Sequence, residues 1–479
     1  MRLSPGETVS LTCLTIDAEG AGLCVLAADV TRAQTASMTV HVPGALPGEG
    51  VVAGVTHVSP HRPQAWGALV SVTAPSAERR APACRAFGAC GGCVLQHWDT
   101  EAQRAWKTAR VVAIFGQHES LGGVVVAPCV ASPRALGYRN NAKLVAAQAP
   151  DHPLDHPLDR PLDRPLILGA FAPRSHDVVD LRGCRIVEPP LDEVASALRD
   201  VLEEAHVSVY DERRLTGDLR YAVLRANADG QVLATLVTAR RDWTPGRAVA
   251  DALRQRCPAV AGVVHNVNPT RGNVIYGDQE HTLAGESALI ERIGAVRLRL
   301  SSRSFFQANR AVAGLVYQAI ASAVAEAARA APLERLVDVY SGVGGIALTL
   351  APSAREVIGI ETHAAAIADA AAAARENGAA NVGFVAGDAA GQLRAVDRAD
   401  VVVLNPPRRG CSPEVLVEVR RLGPRLIAYL SCDPETLARD LAVLVAGGYV
   451  VRSVTPFDML PHTPHIEALA IVDRRIPSP

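Results

Sequence analysis

"RLVDVYSGVGGIALTLA", Arg335 to Ala351, decides the fold. Leu336, Val337 and Val339 read as a buried strand, and "GIALTLA" opens a helix. The glycines between them let the backbone pass close to a ligand, and the helix N-terminus offers unpaired N–H groups. The same alternation continues outward. "EVIGIE" (356–361) is a strand, and "HAAAIADAAAAARENG" (363–378) is a helix closed by its glycine. "VGFVAGD" (382–388), "DVVVLNPP" (400–407), "RLIAYLS" (425–431) and "EALAIVD" (467–473) are further strands. Such βαβ alternation predicts an α/β fold, a doubly wound sheet over residues 304–479.

Glu361 ends the second strand, 23 residues after Asp338, where a carboxylate can accept bonds from ribose hydroxyls. Asp388 ends the third strand and Asn405 the fourth, so all these residues fall at the strand ends where open α/β sheets bind ligands. The G-x-G-x-x-G of a dinucleotide oxidoreductase is absent, because Ile346 and Ala347 follow Gly345. The form D-x-Y-x-G-x-G, from Asp338 through Tyr340 and Gly342, reads as an S-adenosylmethionine pocket. A structural turn in another Rossmann-like protein is the competing reading.

"YLSCDPETLARD", Tyr429 to Asp440, sets Cys432 between a strand end and a helix start. Asp433 suits the N-cap, Pro434 the first helical position and Glu435 the first turn. A thiol beside a helix N-terminus is expected to have a lowered pKa and to be nucleophilic.

At 479 residues the chain is long enough for two to four domains, and 49% hydrophobic with 20% charged residues is ordinary for a globular protein. No run of 18 apolar residues occurs, so no membrane span is expected. The opening residues lack a signal-peptide pattern, and a cytoplasmic location is expected. Ten cysteines are too sparse for a disulfide scaffold and favour metal or catalytic roles. Net charge is −1, which announces no nucleic-acid partner, but Glu78 to Lys143 carries nine basic residues against four acidic ones. A surplus of that size can bind phosphates or can be a solvated surface.

Residues 1–73 show short alternating runs with Gly/Pro turns, which suits a small β-barrel. A cysteine cluster, a helix from about Glu101 to Phe115 and a mixed α+β region fill 74–303. Within it, "DHPLDHPLDRPLDRPL" (151–166) puts proline at every fourth position, which forbids a helix and predicts an extended insertion. His152 and His156 there read as parts of the repeat rather than as metal ligands.

These residues together resemble the RNA uridine-5-methyltransferases, in particular the iron–sulfur branch acting on 23S ribosomal RNA. The resemblance runs in order through "VPGALPGEGV", "CRAFGACGGCVLQHW" with "QRAWK", "GYRNNAKL", "SHDVVDLRGC", "VVHNVNPTRGNVIYG", "SFFQAN", "DVYSGVGG", "NPPRRG", "YLSCDPETLARD" and "DMLPHTPHIE". It implies a class I methyltransferase domain behind an OB-like TRAM barrel and a central domain. It implies Cys432 as the nucleophile toward uracil C6 and Glu467 as the base. S-Adenosylmethionine would be bound by Gln307, Tyr340, Gly342, Glu361, Asp388 and Asn405, with Phe305 near the target base. Much of the family has aspartate at Asn405; asparagine keeps an acceptor and loses the charge.

The resemblance also gives Cys84, Cys90, Cys93 and Cys184 as ligands of a [4Fe–4S] cluster. A four-cysteine zinc site is the rival. Cys13, Cys24, Cys129, Cys257 and Cys411 have no such context and are expected to be inert. The expected partner is RNA, ribosomal in preference to the tRNA T-loop, and the chain is expected to act as a monomer. An exocyclic-amine methyltransferase would use N-P-P differently, with an aromatic residue where Arg408 stands and no cysteine. A non-catalytic RNA-binding or assembly factor would not need Cys432, Glu467 and the full glycine loop.

Overall fold

The computed structural model describes residues 3–27, 38–149, 165–212, 214–272 and 274–475. The proline repeat lies almost wholly outside the described residues, and with it His152 and His156.

Five strands, β1 (Thr8–Ile16), β2 (Ala21–Leu26), β3 (Thr39–Pro43), β4 (Gly50–Val58) and β5 (Gln64–Ala74), close into a barrel in the order β1-β2-β3-β5-β4. Alternate residues Val9, Leu11, Cys13, Val40, Val42, Val51, Ala53 and Val55 point inward and fill it. The barrel expectation holds, and β2 and β5 are strands that the sequence pattern did not single out.

Helix α1 (Thr100–Phe115) follows the cysteine segment. A seven-stranded sheet comes next: β6 (Asn141–Gln148), β7 (Leu166–Phe171), β8 (Val178–Asp180), β9 (Leu219–Ala226), β10 (Val232–Thr238), β11 (Val260–Val267) and β12 (Gln279–Gly285). Its order is β12-β11-β10-β9-β6-β7-β8. Helices α2 (Pro189–Glu204) and α3 (Gly246–Arg256) bury Leu191, Leu198, Val249 and Leu253 against one face. A hairpin, β13 (Ala288–Ile293) and β14 (Val296–Ser301), leads into α4 (Arg310–Ala330).

The C-terminal sheet is built from β15 (Arg335–Val339), β16 (Glu356–Glu361), β17 (Val382–Ala386), β18 (Val401–Leu404), β19 (Leu426–Ser431), β20 (Tyr449–Phe457) and β21 (Glu467–Arg474). Helices α5 (Gly345–Leu350), α6 (Ala364–Glu376), α7 (Ala389–Arg394), α8 (Pro413–Leu422) and α9 (Pro434–Ala446) connect them. The order is β17-β16-β15-β18-β19-β21-β20, with β15–β19 parallel and β21 antiparallel between β19 and β20. Strand order reverses between β15 and β18, which opens the crevice where doubly wound sheets bind ligands. Strand β18 is buried at all four positions, as expected for a strand covered on both faces.

Helix α4 is, by length and composition, apolar enough to cross a membrane. Its buried residues Val312, Val316, Ile320, Ala323 and Val324 recur on one face and pack on Leu336, Val403 and Ala428, the pattern of a helix covering a sheet.

Helix α1 does not join the sheet that follows it. Val111, Ile114 and Phe115 share a core with Leu404, Tyr429, Leu441 and Val454 of the C-terminal unit. Ala127 N and Val130 N then donate to Val454 O and Pro456 O, each at 2.8 Å, so the chain runs beside β20 before it enters β6. The basic surplus between Glu78 and Lys143 is partly spent inside the fold. Arg79 pairs with buried Glu49 at 2.6 Å, and Lys107 pairs with Asp458 at 2.6 Å, both partners buried.

Candidate active site

After β15 the backbone turns through left-handed conformations at Tyr340 (φ 65°), Gly342 (φ 53°) and Gly344 (φ 82°). A tyrosine rarely adopts that region, so the loop holds Tyr340 in place. Gly342 N donates to Glu361 Oε2 at 3.1 Å, while Thr362 N and His363 N donate to Oε1 at 2.7 and 2.9 Å. The carboxylate is thereby fixed at the end of β16, with acceptor capacity left on Oε2. Asp338 Oδ2 accepts from Ala347 N at 3.0 Å and ties β15 to α5. Its Oδ1 has no partner, and burial raises its pKa to about 7. Asp388 spends Oδ2 on capping α7, from Gly391 N at 2.8 Å. Asn405 follows β18 and donates its N–H to Val339 O at 3.4 Å, beside Tyr340.

The loop bearing Gln307 is pinned from several sides. Asn140 Nδ2 donates to Gln307 O at 2.9 Å, and Asn309 caps α4 while donating to Ser132 Oγ and to Met459 O. The two phenylalanines of this loop have different fates. Phe306 is core, whereas Phe305 is 70% exposed.

The register of β19 and β21 pairs Ser431 with Ala468, so Cys432 and Glu467 are the next residues in line at the open end of the strands. Glu467 is buried, and burial raises its carboxyl to about 7. The expectation of a lowered Cys432 pKa is overturned, because the thiol is pushed up. Burial is the first cause and the charge of Glu467 the second, while Arg408 acts in the opposite direction. The cap explains why the helix does not prevail. Asp433 Oδ1 accepts from Glu435 N at 3.0 Å and Thr436 N at 2.9 Å, placing a negative charge on the N–H groups credited with activating the thiol.

Cys411, expected to be inert, belongs to the support of the N-P-P loop. Its N–H donates to Asp440 Oδ2 at 2.8 Å, and the Tyr429 hydroxyl lies 2.6 Å from that oxygen and 3.4 Å from Cys411 Sγ. Arg439 completes the group through Asp440 Oδ1 and Arg409 O. Neither Arg408 as a partner of the thiol nor Asp440 as an anchor was recognised from sequence, although both lie inside the quoted stretches.

Cys84, Cys90, Cys93 and Cys184 line one cavity of about 230 Å³, together with Arg139 and Lys143. Gly92 N donates to Cys90 Sγ at 3.4 Å. Burial, then neighbouring thiols, raises Cys93 to about 12, and burial raises Cys90 and Cys184. Among the described residues, no group of three or more His, Cys, Asp or Glu side chains is placed to hold a single metal ion.

The glycine turn at the switch point, with a thiol and a buried carboxyl on the same edge of the sheet, can be set beside the known proteins that this chain is similar to. The family model for tRNA (uracil-5-)-methyltransferase matches residues 227–475. A protein of Geobacter sulfurreducens described as an uncharacterized RNA methyltransferase is 37% identical over 98% of this chain and 91% of its own length. One from Halalkalibacterium halodurans is 33% identical over 98% of each. Among solved structures, the Pyrococcus abyssi tRNA (uracil-54, C5)-methyltransferase in complex with S-adenosyl-L-homocysteine superposes with a TM-score of 0.72 and 25% identity, covering 96% of this chain and 99% of that one. The chain belongs to the tRNA (uracil-5-)-methyltransferase family and is an S-adenosylmethionine-dependent RNA (uracil-5-)-methyltransferase.

Proposed function

We propose that the protein methylates C5 of one uridine in 23S ribosomal RNA, acting as a cytoplasmic monomer. The observation that carries the chemistry is the placement of Cys432 opposite Glu467 in register, at the same edge of the sheet as the glycine loop. The Cys432 thiolate adds to uracil C6, and the C5=C6 electron pair moves onto C5 and the O4 enolate. C5 attacks the sulfonium methyl; the methyl–sulfur bond breaks and S-adenosylhomocysteine leaves. Glu467 takes the C5 proton, the C5=C6 bond re-forms, and the C6–S bond breaks to return the thiolate. Tyr340, Gly342, Glu361 and Asn405 would line the cofactor, with Gln307 at its methionine end. Asp388 would act through the helix it caps. Phe305, exposed on a pinned loop, is suited to stack on the extruded base.

We read the four cysteines as ligands of a polynuclear centre rather than of a single ion. Tetrahedral zinc needs its sulfurs about 3.8 Å apart around one point. The four thiols line one cavity, and among the described residues no three of them are placed to hold a single ion. We assign them to a [4Fe–4S] cluster, whose positive core would offset part of the charge of four half-buried thiolates and which would fix the Cys84–Cys93 turn against Cys184.

The ribosomal assignment rests on the barrel and the cysteine segment occurring together. The tRNA T-loop is the second reading, favoured by the end-to-end likeness to the Pyrococcus tRNA enzyme. Mass mapping of 5-methyluridine in ribosomal RNA and tRNA from a strain lacking the protein decides between them. Loss at one ribosomal uridine, restored by wild type and not by Cys432→Ala, is expected. Loss confined to the T-loop overturns the substrate and keeps the chemistry. No loss at either points to redundancy or to a non-catalytic RNA-binding role.

A further inference from the structure

Residues 458–466, which deliver Glu467 to the site, have little regular structure of their own. Their polar groups are claimed one after another by residues more than a hundred positions away. Lys107 Nζ donates to Asp458 Oδ1 at 2.6 Å and to Leu460 O at 3.4 Å. Asn309 Nδ2 donates to Met459 O at 3.1 Å, and the Tyr138 hydroxyl donates to Pro461 O at 3.1 Å. His462 N donates to Gln103 Oε1 at 3.0 Å, and Leu95 N donates to His462 O at 3.0 Å. Gln103 Nε2 meanwhile donates to Leu95 O at 3.0 Å and Trp98 O at 2.7 Å, and lies 3.4 Å from His462 Nδ1. His462 sits at φ 65°, a conformation that a residue with a side chain rarely adopts, so the loop shape is imposed by these partners.

Gln103 and Lys107 lie four residues apart on α1, so they project from the same face of the helix. Both are fully buried, which is unusual for these residue types unless every polar atom is spoken for. Leu95 and Trp98 close the turn that begins two residues after Cys93. The cysteine segment, α1 and the catalytic loop therefore form one hydrogen-bonded unit.

We propose that Gln103 and Lys107 are positioning residues for Glu467, and that through them the four-cysteine segment holds the base in place for the last step of catalysis. This rests on the reading of Glu467 as the base. It gives the cysteine segment a task without electron transfer: a rigid abutment for a loop that could not keep its own shape. The step at risk when it fails is loss of the C5 proton, after the methyl group has moved. Failure there leaves the methylated uracil bound to Cys432 through C6.

The test uses the full-length protein, a transcript containing its target uridine, and S-adenosylmethionine. It measures the RNA–protein adduct that survives denaturing electrophoresis, per molecule able to bind S-adenosylmethionine. Glu467→Gln is the reference and accumulates the adduct. Gln103→Met and Lys107→Met are expected to accumulate it as well, with kcat lowered about 100-fold, the scale of a misplacement near 1 Å, and KM for RNA falling in step, because the slowed step follows methyl transfer. Asp458→Asn, which keeps an acceptor for Lys107, is expected to fall between them and wild type. Absence of the adduct in Glu467→Gln overturns the base assignment itself. Its presence there and absence in all three supporting variants, counted per cofactor-binding molecule, overturns the positioning role alone.

Discussion

Glu467 raises the pKa of the thiol it faces, so the resting site favours a neutral Cys432 beside a carboxyl that titrates near pH 7. Both groups must be ionised for the proposed cycle, and kcat/KM reports them in the free enzyme. Below pH 7 two protons have to leave, and log kcat/KM is expected to climb with a slope near two. Above pH 7 Glu467 is ionised, and the slope falls to about one until the thiol titrates, above its ordinary value of 9.0. The apparent values belong to the pair and not to either residue alone. Initial rates from pH 5.5 to 9.5 check this, and a flat profile between pH 6 and 8 is incompatible with it.

The same burial makes Glu467 a stability liability. Its folded pKa of about 7 lies above the ordinary 4.5, so the protonated form favours the folded state. That contribution is complete below pH 4.5 and is lost as pH rises through 7. Glu467→Gln removes the buried charge, and at pH 8 the variant is expected to be more stable than wild type by at most about 3 kcal/mol. At pH 4.5 the difference should vanish. Urea unfolding at the two pH values measures it, and an inactive variant less stable than wild type at pH 8 would contradict the argument.

The glycine turn and the acids at the strand ends were legible because their parts are local. Strand, glycine turn and helix follow one another from Arg335 to Leu350, and the acids at the ends of neighbouring strands recur with each βα unit. The partnership of Cys432 and Glu467 was reached by resemblance, since the antiparallel insertion of β21 beside β19 leaves no signal in spacing. Three features were out of reach. The sign of the Cys432 shift depends on burial and on a carboxylate that β21 brings in. The packing of α1 on the C-terminal core depends on an apolar face that would serve equally against the sheet following it in sequence. Lys107 counted toward a basic surface until Asp458, 351 positions on, proved to be its partner.

Gly342 and Gly344 offer a contrast within the cofactor loop. Both have positive φ, but a Cβ on Gly342 meets nothing within 4 Å, whereas one on Gly344 lies 2.5 Å from Phe384 Cζ. Gly342→Ala should cost only the left-handed backbone preference, about 1–2 kcal/mol. Gly344→Ala adds a clash with a packed ring and should displace the first turn of α5, which starts at the next residue. Thermal unfolding and S-adenosylmethionine titration should show the second variant losing both more stability and more affinity. Equal losses would mean that Phe384 is free to move.

Asp440 is the remaining anchor, and its case separates loop support from general stability. The buried carboxylate accepts from Cys411 N, the Tyr429 hydroxyl and Arg439, and so fixes the end of the loop that begins at Asn405. Asp440→Ala strands a buried N–H and a buried hydroxyl. Arg439 is half exposed and can turn to water, so the cost is set mainly by the two neutral groups, about 2–4 kcal/mol together. Asp440→Asn, with its carbonyl oxygen in place of Oδ2, keeps both acceptances and turns its NH2 toward half-exposed Arg439, so it should cost clearly less than the alanine. Burial and Cys411 are the surroundings that raise the Tyr340 hydroxyl, so a shift of Cys411 reaches the cofactor pocket directly. Weaker S-adenosylmethionine binding is therefore expected for both variants at a temperature where each is fully folded, in the same order as their stabilities. If affinity stays at the wild-type level while stability falls, Asp440 supports the fold and not the loop.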